Sequence, residues 1–367
     1  MILLLLSVAS AVYGSILINS ITKNSATESG VVYVQIGAMV IGLFLFILFS
    51  YIDIDIIADK SMLLFVFSIL FISTLLIWGE GEADVGRRAW IRFWNIGIQP
   101  AEVTKVPFII IFAKIMVTFK ERKTLNSIMS VLQIAIVFLI MFGFVLYISE
   151  DMGTALVYFG ILIIMLFAAG LKLRWFILGA GAIAAASPLL RTYFINDKQW
   201  ERIIAPFIPD IVDPNRNGVL WQPDLSIRAI TTGGIFGQGL GQGQLTQSPR
   251  AFPAQHTDFV FSAAGEELGF IGCLVVIALL IAIVIRCVYV GIKSNNSLGL
   301  LVCMGVAGMV IVQTVMNIGM CLGLLPVIGI TLPFFSYGGS SLVTSFAAMG
   351  IVSGIKMRPK PLRFRSM

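Results

Sequence analysis

Charge is scarce in this chain. Only 12% of its 367 side chains are Asp, Glu, Lys or Arg, against 58% hydrophobic, and the mean hydropathy is +0.97. Soluble globular domains carry about 25% charged residues. A water-soluble core cannot hide this much apolar surface, so the bilayer is the expected solvent. Cysteine is nearly absent as well. Cys273, Cys287, Cys303 and Cys321 all lie in apolar runs without metal-ligand spacing, which argues against a disulfide framework and for small buried hydrophobes. The basic stretch that opens a secretory leader is missing. Residues 1–20 turn apolar at once, so Ala9-Ser-Ala11 reads as part of a first membrane helix and not as a cleavage site. No internal repeat stands out, which withholds support from a repeat-built transporter.

What is present is a series of apolar runs of spanning length, at roughly 2–20, 31–51, 61–78, 101–118, 128–148, 154–171, 174–193, 258–285, 297–325 and 338–356. The expected fold is an all-α polytopic membrane protein of about ten transmembrane helices. Pro107 is expected to kink its helix. The organisation follows: helices 1–7 over residues 1–193, one long extracytoplasmic loop over 194–257, then helices 8–10 and a basic tail over 258–367. The net charge of +6 matters through its placement. Lys120, Arg122, Lys123, Lys172, Arg174, Arg286, Lys293 and the tail residues Lys356, Arg358, Lys360, Arg363 and Arg365 fall on one side, which makes that side and both termini cytoplasmic. That placement follows the membrane, and no nucleic-acid partner is expected. Loop 52–60 is the exception, acidic (Asp53, Asp55, Asp59) on the inner side. The aromatic and basic residues of 194–257 (Trp200, Arg202, Trp221, Arg228) suit a segment lying on the membrane.

Five stretches carry candidate chemistry. His256-Thr-Asp258 contains the only histidine and places a carboxylate at the mouth of a helix that holds two further acids, Glu266 and Glu267. Helix capping by Thr257 explains it blandly. Alternatively Asp258 is a general base at the water–lipid boundary. Arg87 and Arg88 in an outer loop suit either a solvated loop or a phosphate clamp. Glu102 and Lys105 share a helix face, and a buried Lys105 needs Glu102 or an anionic ligand. Asp151, followed by Thr154, is a helix cap or a second outward acid. The run Gly233–Gly243 lacks the strand–turn–helix setting of a dinucleotide site and reads as a pliable loop or an anion-approaching backbone. Leu332–Ser341, including Ser340, reads as a small-residue helix start whose hydroxyls can line a cavity.

Together these stretches resemble the SEDS family (shape, elongation, division and sporulation), represented by RodA, FtsW and SpoVE. The matching runs are Gly86-Arg-Arg-Ala-Trp-Ile91, Gln99-Pro-Ala-Glu102 with Lys105, Asp151-Met-Gly-Thr-Ala155, the glycine run 233–241, His256-Thr-Asp-Phe259 with Glu266-Glu-Leu-Gly269, and Leu332–Ser341, in the family's order. Two departures stand out: Ser149-Glu150 replaces a Gln-Pro, which unsettles the placing of Asp151, and Ala101 replaces a serine.

The resemblance implies a peptidoglycan glycosyltransferase that polymerises lipid II outside the cytoplasmic membrane, with a RodA-like elongation role first and FtsW-like or SpoVE-like roles beside it. It implies Asp258 as the essential residue, growing glycan on undecaprenyl pyrophosphate as the second substrate, and a class B penicillin-binding protein as partner. It also allows Mg2+ or Mn2+ as cofactor, although no ligand cluster appears in the sequence. Arg87, Arg88, Lys105, Glu102, Asp151, Thr154, His256 and Ser340 are the candidate substrate-binding residues. The rival readings are a lipid II flippase, favoured by Glu266 and Glu267 inside the membrane, and a non-enzymatic scaffold.

Overall fold

The computed structural model describes residues 1–22, 30–81, 88–93, 96–193, 196–248, 254–294 and 296–358. Arg87 lies outside the described residues, and so do Lys360, Arg363 and Arg365 of the tail. Every predicted apolar run is occupied by helix. In chain order the elements are α1 (Ile2–Thr22), α2 (Val31–Tyr51), α3 (Ile54–Asp59), α4 (Ser61–Ser73), α5 (Leu75–Trp78), β1 (Ile91–Phe93), β2 (Ile96–Ile98), α6 (Pro100–Val103), α7 (Lys105–Glu121), α8 (Ile128–Ile148), α9 (Met152–Ala169) and α10 (Leu173–Tyr193). After these come α11 (Asp197–Ile204), α12 (Pro209–Val212), α13 (Trp221–Gly233), α14 (Val260–Ile292), α15 (Ser297–Cys321) and α16 (Gly339–Met357). Among the described residues, eight helices are long and apolar enough to cross a membrane, counting α4 and α5 as one. The other two predicted spans are α7, which has 17 residues and includes Lys105, Lys114 and Lys120, and α10, apolar over Leu173–Leu189.

The core is built by α15 and α16, which α14, α9, α7, α2 and α1 surround. Small residues set the approach distances. On α16, a Cβ added at Gly350 would lie 2.5 Å from the carbonyl of Phe46 on α2, so the two backbones touch. The outer faces of α2, α4 and α8 expose Val40, Ile41, Phe44, Leu63, Leu70, Leu132 and Leu139. In water this would be an aggregating surface; in hydrocarbon it is the solvated one.

Three sequence expectations change locally. The break in the fourth span falls at Thr104, between α6 and α7, and not at Pro107. Pro107 sits in the first turn of α7, where an N–H has no helical partner to lose. The fold is all-α except for an antiparallel hairpin pairing Ile91 with Ile98. The acidic loop 52–60 is neutralised by distant cations: Arg358 pairs with Asp53 at 2.5 Å and Lys114 with Asp59 at 2.7 Å. Burial, with repulsion from Asp53 and Asp59, raises the Asp55 carboxyl above the ordinary range, and Arg358 opposes it.

The long segment 194–257 has two parts. α11 has no buried residue and starts with a capping box between Asn196 and Gln199. α13 is packed against α14 and α15, with Ser226 donating to the carbonyl of Cys321 at 2.6 Å. After α13 the glycine run leaves Ile235, Phe236 and Leu240 exposed and buries Gly233 and Gly243. Its backbone pairs with α14 where that helix breaks, at Gly269 (φ 69°, ψ −164°). The N–H groups of Phe270 and Ile271 donate to the carbonyls of Gly234 and Ile235, at 2.9 and 3.2 Å. Gly269 lies nine residues beyond Val260, about 14 Å along the helix. Irregular backbone at such depth needs protein partners, and the break supplies them.

Candidate active site

Asp258 lies on a turn just before α14, not inside its first turn. The carbonyl of Ala254, itself at φ 57°, accepts the N–H of Thr257 at 3.2 Å, of Asp258 at 2.9 Å and of Phe259 at 3.3 Å. The Thr257 hydroxyl also donates to that carbonyl, at 3.1 Å, so it does not cap the helix as the bland reading expected. The helix boundary is Phe259, which is fully buried, whereas Asp258 is half-buried. The backbone of Asp258 is held from a third side by α15. Asn317 Nδ2 donates to its carbonyl at 2.7 Å, and the Cys321 thiol points to the same oxygen at 3.7 Å.

His256 is positioned by the loop before α16. Its carbonyl accepts the Tyr337 N–H at 2.8 Å, and its ring meets the Tyr337 ring edge-on, with centroids 5.5 Å apart. Burial pushes the Tyr337 hydroxyl above its ordinary pKa, and the guanidinium of Arg92 on β1 opposes that rise. Arg92 therefore brings positive charge toward the His256–Asp258 turn. Sequence reasoning named Arg87 and Arg88 and passed over Arg92; Arg88 is exposed and lies four residues before it, outside β1.

A second polar cluster lies at α6, α7 and α9. Asp151 caps α9, accepting the Thr154 N–H at 3.0 Å and the Thr154 hydroxyl at 2.8 Å, while Gln99 Nε2 donates to it at 2.6 Å. The Gln99 N–H donates to Ser340 Oγ at 3.0 Å, which ties the cluster to α16. Lys105 is buried and forms an ion pair with Glu102. Beneath it, the hydroxyls of Thr104 and Tyr158 lie 2.7 Å apart, and Tyr158 donates to the carbonyl of Ala101 at 2.9 Å. Tight packing explains why a small residue suits position 101, which is 0% exposed.

The loop between α15 and α16 joins the two clusters. Asn317 Nδ2 donates to Ile330 as well as to Asp258, and a Cβ at Gly153, beside Asp151, would sit 2.5 Å from the Ile328 carbonyl. Inside this loop Phe334 is buried at φ 69°, a conformation costly for a bulky residue and held by packing against Phe346. The predicted residues thus fall into two sets, Asp258 with His256 and then Glu102, Lys105, Asp151, Thr154 and Ser340. Gln99, Arg92, Asn317 and Tyr337 were not foreseen as members. For Asn317 a signal existed, since an amide inside an apolar run needs a partner.

The chain matches the sequence profile of the FtsW, RodA and SpoVE cell cycle proteins over residues 1–360. A probable peptidoglycan glycosyltransferase FtsW from Trichlorobacter lovleyi is 37% identical over 301 residues, 81% of this chain and 76% of the relative. Among solved structures, one reported as the structural coordination of polymerization and crosslinking by a peptidoglycan synthase complex superposes with a TM-score of 0.80 at 27% identity, covering 97% of this chain and 96% of that one. The rod shape determining protein RodA of Thermus thermophilus superposes with a TM-score of 0.70 at 25% identity, over 97% and 95% of the two chains.

Proposed function

This chain belongs to the FtsW, RodA and SpoVE family and is a multi-pass bacterial membrane protein with peptidoglycan glycosyltransferase activity, and we propose that it polymerises lipid II with Asp258 as general base. The observation that carries the reading is the turn at Asp258: a half-buried carboxylate whose backbone is fixed by Ala254 and Asn317 and whose neighbour His256 is fixed by Tyr337. A base must be held at a set distance from the proton it takes.

In the proposed step, Asp258 accepts the proton of the acceptor's GlcNAc 4-hydroxyl as that oxygen forms a bond to the anomeric carbon of the growing chain. The bond from that carbon to pyrophosphate breaks with inversion, and undecaprenyl pyrophosphate leaves with the electron pair. The leaving group is already activated, so one base plus cationic stabilisation suffices, without a glycosidase-type carboxylate pair. Arg92 and Arg88 are the cations suited to offset the developing charge, with Arg87 beside them in sequence. Lys105 is buried and already balanced by Glu102, and so offers the leaving group little net charge. Asp151, Thr154, Gln99 and Ser340 act as the frame that holds the α6–α7 wall. Among the described residues no three His, Cys, Asp or Glu side chains converge to hold a metal. A Mg2+ or Mn2+ ion used here would be held chiefly by the pyrophosphate oxygens, with one or two carboxylates of the chain.

The catalytic end of the bundle faces outward and both termini face the cytoplasm in this reading, and a class B penicillin-binding protein crosslinks the product. The flippase alternative loses its main support. Glu266 and Glu267, which favoured it, are engaged in hydrogen bonds with residues 245–247 and with Ser20. The deciding assay is polymerisation of lipid II by purified, folded Asp258→Asn. Loss of about 10²–10⁴-fold in kcat is expected; near-normal chain synthesis refutes the role.

A further inference from the structure

Two buried carboxylates have no part in the step above. Glu266 and Glu267 on α14 are both 0% exposed, eight and nine residues past Asp258. Both hold one short segment. Glu266 accepts the N–H groups of Leu245 and Thr246, each at 2.8 Å. Glu267 accepts the Thr246 hydroxyl at 3.2 Å, the Gln247 amide at 3.1 Å and the Ser20 hydroxyl of α1 at 2.5 Å. Their own carbonyls accept the N–H groups of Gln238 and Gly239, both at 2.9 Å. The glycine run is thereby clamped to α14 through its backbone, and residues 245–247 just after it through the two carboxylates. Gly243 is squeezed in the clamp, where an added Cβ would lie 2.8 Å from Glu266 Oε2.

The clamp has an output. Thr246 is 2% exposed, and its carbonyl accepts a hydrogen bond from Gln255 Nε2 at 3.1 Å. Gln255 follows Ala254, whose carbonyl gathers the N–H groups of Thr257, Asp258 and Phe259. The line of contacts therefore runs from Glu266 and Glu267 to Thr246, from Thr246 to Gln255, and from there into the turn that presents Asp258. At Glu266 the chemistry of the donor set calls for a carboxylate: both groups facing it are backbone N–H donors, and a glutamine would turn an NH2 against one of them. Burying two acids is expensive, and packed apolar residues usually give equal or better stability. The acids are therefore expected where a fixed geometry is what matters.

We infer that Glu266 and Glu267 are positioning residues for Asp258, acting through Thr246 and Gln255. The inference rests on the general-base reading of Asp258. It is tested on the full-length protein in nanodiscs, with lipid II as substrate, by measuring kcat, KM and the unfolding temperature. Thr246→Val removes the hydroxyl bond to Glu267 and keeps the shape and the N–H. Gln255→Met keeps the length and removes the donor. Each lowers kcat by roughly 10-fold or more, with KM within about 2-fold, because displacing a catalytic group by a fraction of an ångström weakens the chemical step and not binding. Thr246→Ser restores the hydroxyl and most of kcat, while the unfolding temperature stays near that of the unaltered protein in all three. The inference is overturned if Thr246→Val and Gln255→Met keep full kcat, if kcat falls only in step with unfolding temperature, or if Thr246→Ser behaves like Thr246→Val. Run in parallel, Asp258→Asn separates the two levels. If it still polymerises, the general-base reading fails and takes the inference with it; if it is inactive while the Thr246 and Gln255 variants are normal, the inference alone fails.

Discussion

Asn317 Nδ2 donates to the carbonyl of Asp258 and to the carbonyl of Ile330, both at 2.7 Å, and so pins the turn of the proposed base to the loop before α16. The two acceptors are 59 and 13 residues away in sequence. One amide in the middle of the bundle thus sets the spacing between the two halves of the site.

Replacing it tests that spacing. Asn317→Leu leaves two carbonyls without their donor, each costing about 1–3 kcal/mol where water cannot replace it. The expected result is a lower unfolding temperature together with a loss of polymerisation. Asn317→Asp, which turns an acceptor toward two acceptors, is expected to be worse than leucine. Thermal unfolding of both variants in the same detergent measures the order.

The Lys105–Glu102 pair separates stability from catalysis. Removing one partner leaves a buried charge uncompensated, at about 3–5 kcal/mol. Lys105→Met and Glu102→Gln each destabilise the fold. The double variant Glu102→Gln/Lys105→Met regains most of the unfolding temperature. If the pair assists departure of pyrophosphate, the double variant stays deficient in kcat; recovery of full activity assigns the pair to folding alone.

Gly269 is irreplaceable on two grounds. Its φ of 69° disfavours any L side chain, and a Cβ there would lie 2.3 Å from the Gly237 nitrogen and 2.5 Å from the Ile235 carbonyl. Gly269→Ala must displace the glycine run from α14. Its cost is expected to exceed the roughly 1 kcal/mol of backbone strain alone. Gly234→Ala, at φ 58° with nothing within 4 Å of its added Cβ, is the matched control with strain and no clash. A larger fall in unfolding temperature for Gly269→Ala than for Gly234→Ala is the predicted reading.

Asp213 gives a pH dependence in the segment between α12 and α13. Burial pushes its carboxyl up, but N–H donors from Leu220, Gly218 and Asn217, with the Arg216 charge, outweigh that and hold its pKa below the ordinary carboxylate range. A group with a depressed folded pKa stabilises the protein above its unfolded value, near 3.9, and loses that contribution as pH falls through the folded pKa. Asp213→Asn is therefore expected to lower the unfolding temperature at pH 7, and by less at pH 3, where part of the contribution is already lost. An equal effect at both pH values would contradict the assignment.

Much of this molecule was legible from residue order alone. The bounds of α2 and α8, the start of α15, the four buried cysteines and the membrane setting follow from hydrophobicity, which acts residue by residue and needs no knowledge of neighbours in space. Family motifs located Asp258, Lys105 and Asp151 for the same reason, since each motif is contiguous. Even some capping was visible, because Asp151 bonds to a group three residues away.

Folding in three dimensions settled the rest. Ser20 meets Glu267 across 247 positions, Gln99 meets Ser340 across 241 and Gln35 meets Ser336 across 301. No window of sequence contains both members of such pairs. For that reason the acids of α14 looked like a transport path until the glycine run was seen bonded to them. Arg92 was overlooked for the same cause, since the Tyr337 hydroxyl that feels its charge lies on a loop far along the chain. Apolar burial is a property of single residues and survives in the linear order, whereas the partner of a buried polar group is chosen by packing, which exists only once the helices have met.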